Sequence, residues 1–128
     1  MRLLLDTHAL LWWVLGDPSL PATARALIAD EGNEVFVSAA TAWEISTKHR
    51  LGKLPSIGPF SLDISHEIER QGFLPLAISP PHAQDAGSLE SANRDPFDRM
   101  LIAQAQLDDL TLVSNETAFD GYGVSRLW

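Results

Sequence analysis

Short apolar runs alternate with helical segments along the whole chain, and this alternation constrains the fold more than any other feature. Strands are predicted at residues 3–5, 34–38, 74–78, 110–114 and 124–127. Helices are predicted at residues 7–15, 21–30, 41–51, 60–71, 81–89 and 95–108, with a loop at 53–59 and a turn or short helix at 118–122. Helices between strands at this spacing imply right-handed crossovers and a mostly parallel sheet. We therefore expect one α/β domain spanning residues 1–128.

Length and composition agree with a single folded unit. The chain has 128 residues, 45% of them apolar and 20% charged, which is typical of a globular domain with its own core. No apolar run approaches the roughly 20 residues needed to span a bilayer. The apolar N-terminus contains Asp6 and His8 and lacks a small-residue cleavage site, so we expect it to belong to the fold. The chain has no cysteine, which is compatible with a reducing setting, and we expect a cytoplasmic protein.

The charge balance limits how this protein can contact nucleic acid. Nine Lys and Arg residues stand against seventeen Asp and Glu residues, giving a net charge of −8. This argues against a broad basic face. The segment "KHRLGK" (48–53) is locally basic, and Arg94 and Arg99 flank another motif. These residues are candidates for contacting a phosphate backbone; the alternative is a solvated helix end with Lys48 and Arg50 near the negative pole of the helix dipole.

The segment "RDPFDRMLIAQA" (94–105) places two aspartates at the start of an apolar helix. Asp95 suits the N-cap position, and Pro96 suits the first helical position, where its missing N–H costs nothing. Asp98 lies in the first turn, near the positive end of the helix dipole. Taken alone, the segment is equally well explained as a helix start without any function.

Four acidic residues occupy positions that can meet at one edge of the sheet. Asp6 ends the first strand, Glu44 lies on the helix after the second, Asp98 begins the long helix, and Glu116 follows the "LTLVS" strand. Ligands of parallel sheets bind beyond the carboxyl ends of the strands. Each acid also has a simpler explanation: a cap for Asp6, an ion pair with Lys48 for Glu44, and a solvated turn for Glu116.

Clustered carboxylates repel one another unless a cation lies between them. Mg²⁺ prefers oxygen ligands, and metal ions held by carboxylates can activate water and stabilise the leaving oxygen of a phosphodiester. The four histidines share no spacing, and no Ser/His/Asp set, P-loop or Gly-rich dinucleotide motif is present. The sequence therefore predicts a metal site formed by Asp6, Glu44, Asp98 and Glu116.

Several blocks of the sequence resemble one known family. "LLLDTHALLWW", "VSAATAWEISTKHRLGKL", "RDPFDRMLIAQA" and "LTLVSNETAF" are similar, in order, to segments of the PIN-domain family, and most similar to VapC-type toxins of bacterial toxin–antitoxin systems. The resemblance implies a three-layer α/β/α domain and a Mg²⁺- or Mn²⁺-dependent endoribonuclease that cleaves RNA. It also implies neutralisation by a VapB-like antitoxin, for which an acidic toxin suits a basic partner. A homodimer is expected, with one of Trp12 and Trp13 in the core and the other partly exposed as a candidate interface residue.

The resemblance assigns site residues by motif position. Asp6, Glu44 and Asp98 match the family's three acidic residues, and all three are expected to be catalytic. Glu116 takes the fourth position, where many members have Asp; it too is expected to be catalytic, and its extra methylene favours a water-mediated contact. Ser114 matches a small hydroxyl position beside the site. Asn93 stands where related sequences often have His, so no base is assigned to it.

Two other classes of function remain open on the sequence alone. A haloacid-dehalogenase-like phosphatase expects Asp-x-Asp after the first strand, whereas this chain has "DTH", and a receiver domain expects a phosphoacceptor Asp after a middle strand, which is absent. A non-catalytic interaction module with the same fold would not require acids at all four positions.

Overall fold

A computed structural model describes residues 1–54 and 63–128 of the chain. In these residues the strands are β1 (Arg2–Leu5), β2 (Glu34–Ser38), β3 (Leu74–Leu76), β4 (Thr111–Val113) and β5 (Arg126–Leu127). The helices are α1 (Thr7–Leu15), α2 (Ala22–Ala29), α3 (Ala39–Arg50), α4 (Ile64–Arg70), α5 (Pro80–Ser88), α6 (Pro96–Asp108) and a 3₁₀ helix (Thr117–Tyr122). The predicted loop at 53–59 and the start of the helix predicted at 60–71 fall largely outside the described residues.

The described strands form one parallel sheet in the order β3-β2-β1-β4-β5. β1 is central, and its Leu4 pairs with Phe36 of β2 on one side and Leu112 of β4 on the other. Parallel strands direct their carboxyl ends to the same edge, so the residues that follow β1, β2 and β4 meet there. The predicted α/β class with a parallel sheet is confirmed.

The alternation of side chains along β1 divides the core into two layers. Leu3 and Leu5 are buried in a cluster with residues of α1, α2, α3 and α4, including Leu10, Ile28 and Ile45. Leu4 is buried on the other face, where Leu101 and Ile102 of α6 pack against it. Successive residues of a strand face opposite sides of the sheet. One strand therefore supports helices on both faces, which confirms the three-layer α/β/α prediction.

Local capping sets the predicted helix starts. Asp6, Ser38 and Asp95 are the N-caps of α1, α3 and α6, and each accepts a bond from a backbone N–H of the first turn. The predicted third strand was too long, because the chain leaves the sheet after Leu76 and the Ala77 carbonyl accepts a bond from the Gln104 side chain. The last strand is also shorter than predicted, because Gly123 in the left-handed region turns the chain immediately before it.

The tryptophans do not divide as the sequence predicted. Trp12 and Trp13 are both half-buried, Trp12 against Trp128 with ring centroids 5.6 Å apart and Trp13 against Phe73 at 6.0 Å. Trp43 is 59% exposed, and its ring forms a T-shaped contact with that of Phe97. The described helices are all too short or too polar to cross a bilayer.

Candidate active site

All four predicted acids line one small polar pocket at the carboxyl edge of the sheet. The pocket has a volume of about 110 Å³. Its lining residues are Asp6, Thr7, His8, Glu44, Lys48, Asp95, Asp98, Leu101 and Glu116. The lining therefore combines residues that follow β1 and β4 with residues of α3 and α6.

Asp6 is the most buried of the four acids in this pocket. It ends the central strand, where its own N–H donates to the Val113 carbonyl of β4 at 3.2 Å. Its Oδ1 accepts a bond from the Ala9 N–H at 2.7 Å, so the same side chain caps α1. Burial raises the pKa of the Asp6 carboxyl above its usual range, while hydrogen bonds from Ser114 and Ala9 oppose the rise. Asp6 therefore caps α1 and also lines the pocket, so the helix-cap and metal-ligand interpretations of this residue are compatible.

Glu44 is buried in the middle of α3, and a donor contacts each of its carboxylate oxygens. The Thr7 hydroxyl donates to Oε1 at 2.5 Å, and the Lys48 ammonium donates to Oε2 at 2.5 Å. Lys48 lies one helical turn further along, so the predicted ion pair is present. That pair lies inside the pocket instead of on a solvated helix face.

Asp98 is half-buried at the first turn of α6. Burial raises its pKa to about 6, and repulsion from Asp95, Glu44 and Glu116 adds to the rise, while a hydrogen bond from Asn93 opposes it. The Asn93 amide donates to Asp98 Oδ2 at 3.3 Å. A raised carboxyl pKa partly caused by other acids in the same pocket is typical of functional sites and of places where a cation binds.

The loop that presents Asn93 is held by Arg99. The Arg99 guanidinium donates to the carbonyls of Ala86, Gly87, Leu89 and Asn93 at 2.6–3.3 Å. These bonds engage the guanidinium of Arg99 within the protein itself. The predicted contact of Arg99 with a phosphate backbone is therefore wrong. Arg99 instead fixes the chain between α5 and α6 beside Asp98.

Glu116 is the most solvent-exposed of the four acids. It follows the end of β4 by three residues, and its N–H donates to the Ser114 hydroxyl oxygen at 2.9 Å. Ser114 is fully buried and also contacts the Asp6 carboxylate. The hydroxyl therefore connects the two acids that come from neighbouring strands.

The donor set suits a hard divalent cation, although it is not a preformed cage. Within residues 1–54 and 63–128, no three carboxylate or imidazole groups are arranged to hold an ion as the side chains stand. Mg²⁺ usually takes only one or two protein carboxylates and keeps several waters, so Asp6 and Asp98 are sufficient by ligand type. Neighbouring acids contribute to the raised pKa values of Asp6 and Asp98, and a cation in the pocket would relieve that repulsion. The carboxylate oxygens of the pocket therefore fit a divalent cation such as Mg²⁺.

The role of Thr7 was not predicted from the sequence. Its hydroxyl binds the buried Glu44 and lies 3.4 Å from the Thr41 hydroxyl, so it connects the start of α1 to α3. The signal available in the sequence was the hydroxyl residue directly after Asp6, but nothing local indicates a contact with a residue so far along the chain.

The comparison with family models decides the classification of this chain. Residues 3–124 match the model described as "PIN domain". The chain belongs to the PIN-domain family. This membership agrees with the parallel sheet and with the placement of acids at its carboxyl edge, and it confirms the resemblance stated from the sequence.

One curated relative is similar over part of the chain. A Mycobacterium tuberculosis protein named "Ribonuclease VapC16" is 39% identical over 69 residues, which are 51% of this chain and 49% of that protein. The match thus spans about half the length of that relative.

Two solved structures of DNA-bound VapBC proteins contain a chain of similar fold. A chain of VapBC2 from Rickettsia felis, bound to a DNA fragment from the promoter, has a TM-score of 0.72 and 16% identity, covering 99% of this PIN-domain chain and 98% of that one. A chain of DNA-bound VapBC from Salmonella typhimurium has a TM-score of 0.71 and 14% identity, covering 99% and 97%. At identities of 16% and 14%, the similarity shows only that the fold is shared.

Proposed function

We propose that this PIN-domain protein is the toxin of a toxin–antitoxin system and acts as a Mg²⁺- or Mn²⁺-dependent endoribonuclease in the cytoplasm. The observation that carries the proposal is the convergence of Asp6, Glu44, Asp98 and Glu116 on one polar pocket. The partial match to a protein named as a ribonuclease supports the reaction class. The fold shared with chains of VapBC complexes supports a VapB-like antitoxin as partner.

In this proposal each acid has a distinct role. Asp6 and Asp98 hold the principal divalent cation, Glu44 assists or positions water, and Glu116, on its longer side chain, completes the site directly or through water. The bound cation would supply electrostatic stabilisation of the phosphodiester and a more acidic water. The chain's own contribution is positioning: α1 and β4 fix Asp6, Thr7 and Lys48 fix Glu44, and Asn93 orients Asp98.

The charge of the protein suits these partners. With a net charge of −8, the toxin favours a basic antitoxin, while contact with RNA relies on the cation and on local basic residues such as Arg50 and Lys53, which are exposed. A homodimer is part of the proposal. The expected molecular mass by sedimentation is twice the 14.0 kDa of one chain.

The decisive variant is Asp6→Asn. Asn caps a helix about as well as Asp, and the substitution removes a buried charge, so the unfolding temperature should be equal or higher. RNA cleavage in the presence of Mn²⁺ should be lost. Cleavage at the wild-type rate by the purified variant would exclude the assignment.

Metal uptake distinguishes the proposed nuclease from a non-catalytic interaction module. Calorimetric titration with Mn²⁺ should give specific uptake by the wild-type protein and much weaker uptake by Asp6→Asn. An inert scaffold would take up no Mn²⁺ specifically and would cleave no RNA. The haloacid-dehalogenase-like alternative has no support from the family match or from "DTH" after β1.

A further inference from the structure

The Lys48 ammonium is directed into the pocket of acids instead of into solvent. It contacts Glu44 Oε2 at 2.5 Å, and its side chain is 35% exposed while that of Glu44 is 9% exposed. Lys48 lines the same pocket as Asp6, Asp98 and Glu116. Exposed ion pairs contribute little to stability, but removing the cation from a buried carboxylate leaves a costly uncompensated charge.

Both oxygens of Glu44 have their donors without any metal. The Thr7 hydroxyl satisfies Oε1 and the Lys48 ammonium satisfies Oε2. Lys48 is the one lysine or arginine among the residues that line this pocket in the described part of the chain; the other basic side chain there is that of His8. The ammonium therefore supplies, at Glu44, the positive charge that the clustered carboxylates need.

We infer that Lys48 is a resident counter-cation of the pocket, which holds Glu44 in the metal-free protein and is displaced from Glu44 Oε2 when a divalent cation binds. This inference rests on the proposed function, because it assumes that the pocket takes up such a cation. It makes Lys48 a positioning residue. The displaced ammonium stays near the pocket, where as a mobile point charge it can contact the phosphate of the substrate.

The inference predicts competition between Lys48 and the metal. Lys48→Met removes the competing charge, so the Mn²⁺ affinity measured by calorimetry should rise about tenfold, which corresponds to about 1.4 kcal/mol. The same variant should unfold at a lower temperature in EDTA, and added Mn²⁺ should raise its unfolding temperature by more than it raises that of the wild type.

Lys53→Met is the matched control for the loss of charge. Lys53 lies five residues further along in the same basic segment, is exposed, and does not line the pocket. Its substitution should leave the Mn²⁺ affinity within twofold of wild type. Lys48→Arg keeps a cation at the position, so it should keep most of the wild-type stability in EDTA and show less than half of the affinity gain of Lys48→Met.

The outcomes separate this inference from the proposed function. The inference alone would be overturned if the wild type takes up Mn²⁺ but Lys48→Met and Lys53→Met bind it with equal affinity. It would also be overturned if Lys48→Met binds Mn²⁺ more weakly than the wild type does. Absence of specific Mn²⁺ uptake by the wild type would overturn both. If Lys48→Met does not fold, Lys48→Gln, which keeps a donor without the charge, replaces it with the same expected gain in affinity.

Discussion

The Thr7 hydroxyl donates a 2.5 Å hydrogen bond to Oε1 of Glu44, and this bond joins two helices that enter the site from different strands. Thr7 follows the central strand β1, and Glu44 lies in the middle of α3, which follows β2. Both residues are buried. The orientation of the Glu44 carboxylate is therefore fixed from both sides, by Thr7 at one oxygen and by Lys48 at the other.

Replacing Thr7 by Val should destabilise the protein by about 1–3 kcal/mol, because a buried carboxylate oxygen loses its donor while the side-chain shape is kept. Urea unfolding followed by circular dichroism measures the change. Thr7→Ser retains the hydroxyl and should recover more than half of the loss. Equal stability of Thr7→Val and wild type would show that the bond does not hold Glu44.

The two aspartates of "RDPFD" form a matched pair for separating helix capping from the proposed cation site. Asp95 Oδ1 accepts bonds from the N–H groups of Phe97 and Asp98, and Asn can do the same. Asp98→Asn should abolish Mn²⁺-dependent RNA cleavage, whereas Asp95→Asn should retain at least a tenth of it. Comparable losses in both variants would contradict the division of roles.

The raised pKa of Asp98 predicts a pH dependence of stability in metal-free protein. Because its folded-state pKa is about 6 against an ordinary value of 3.8, folding is favoured by its bound proton. The contribution of protonated Asp98 to stability is fully present below pH 4 and is lost as the pH rises through about 6. In EDTA, the difference in unfolding temperature, wild type minus Asp98→Asn, should decrease as the pH is raised from 4 to 7. A difference that is constant with pH would contradict the prediction.

Gln104 is a fully buried polar residue of α6 that connects two neighbouring strands. Its Oε1 accepts a bond from the Ser38 hydroxyl at 2.6 Å, and its Nε2 donates to the Ala77 carbonyl at 3.3 Å. Gln104→Met should lower the free energy of unfolding by about 1–3 kcal/mol, since both partners lose their bond. Gln106→Met, at an exposed position of the same helix, should change it by less than about 0.5 kcal/mol. Urea titrations of the two variants test the contrast.

Local signals in the sequence predicted the parts of the site that depend on local structure. Asp6 and Asp95 were predicted as helix caps, and both are, because capping requires only the next few residues. The Glu44–Lys48 contact follows from their spacing of one helical turn. The meeting of the acids followed from the order of strands and helices, since parallel strands end at one edge of a sheet.

Interactions between distant segments account for what the sequence did not predict. The partner of Thr7 is 37 positions away, and no pattern near either residue indicates the pair. Trp43 of α3 contacts the ring of Phe97 in α6 while remaining 59% exposed, and nothing near either residue indicates this contact. Of the four carbonyls bound by Arg99, two belong to the end of α5 and two to the segment between α5 and α6, so these bonds depend on how α5 packs against α6. In each case the tertiary arrangement decides the contact.

The central place of β1 in the sheet bears on when this protein can become active during its synthesis. Asp6 and Glu44 emerge from the ribosome before Asp98, the neighbouring strand β4 and Glu116. An incomplete chain therefore carries only Asp6 and Glu44, without the opposite wall of the pocket. With the proposed activity, a nascent toxin is therefore harmless to its own messenger RNA until Glu116 has been translated.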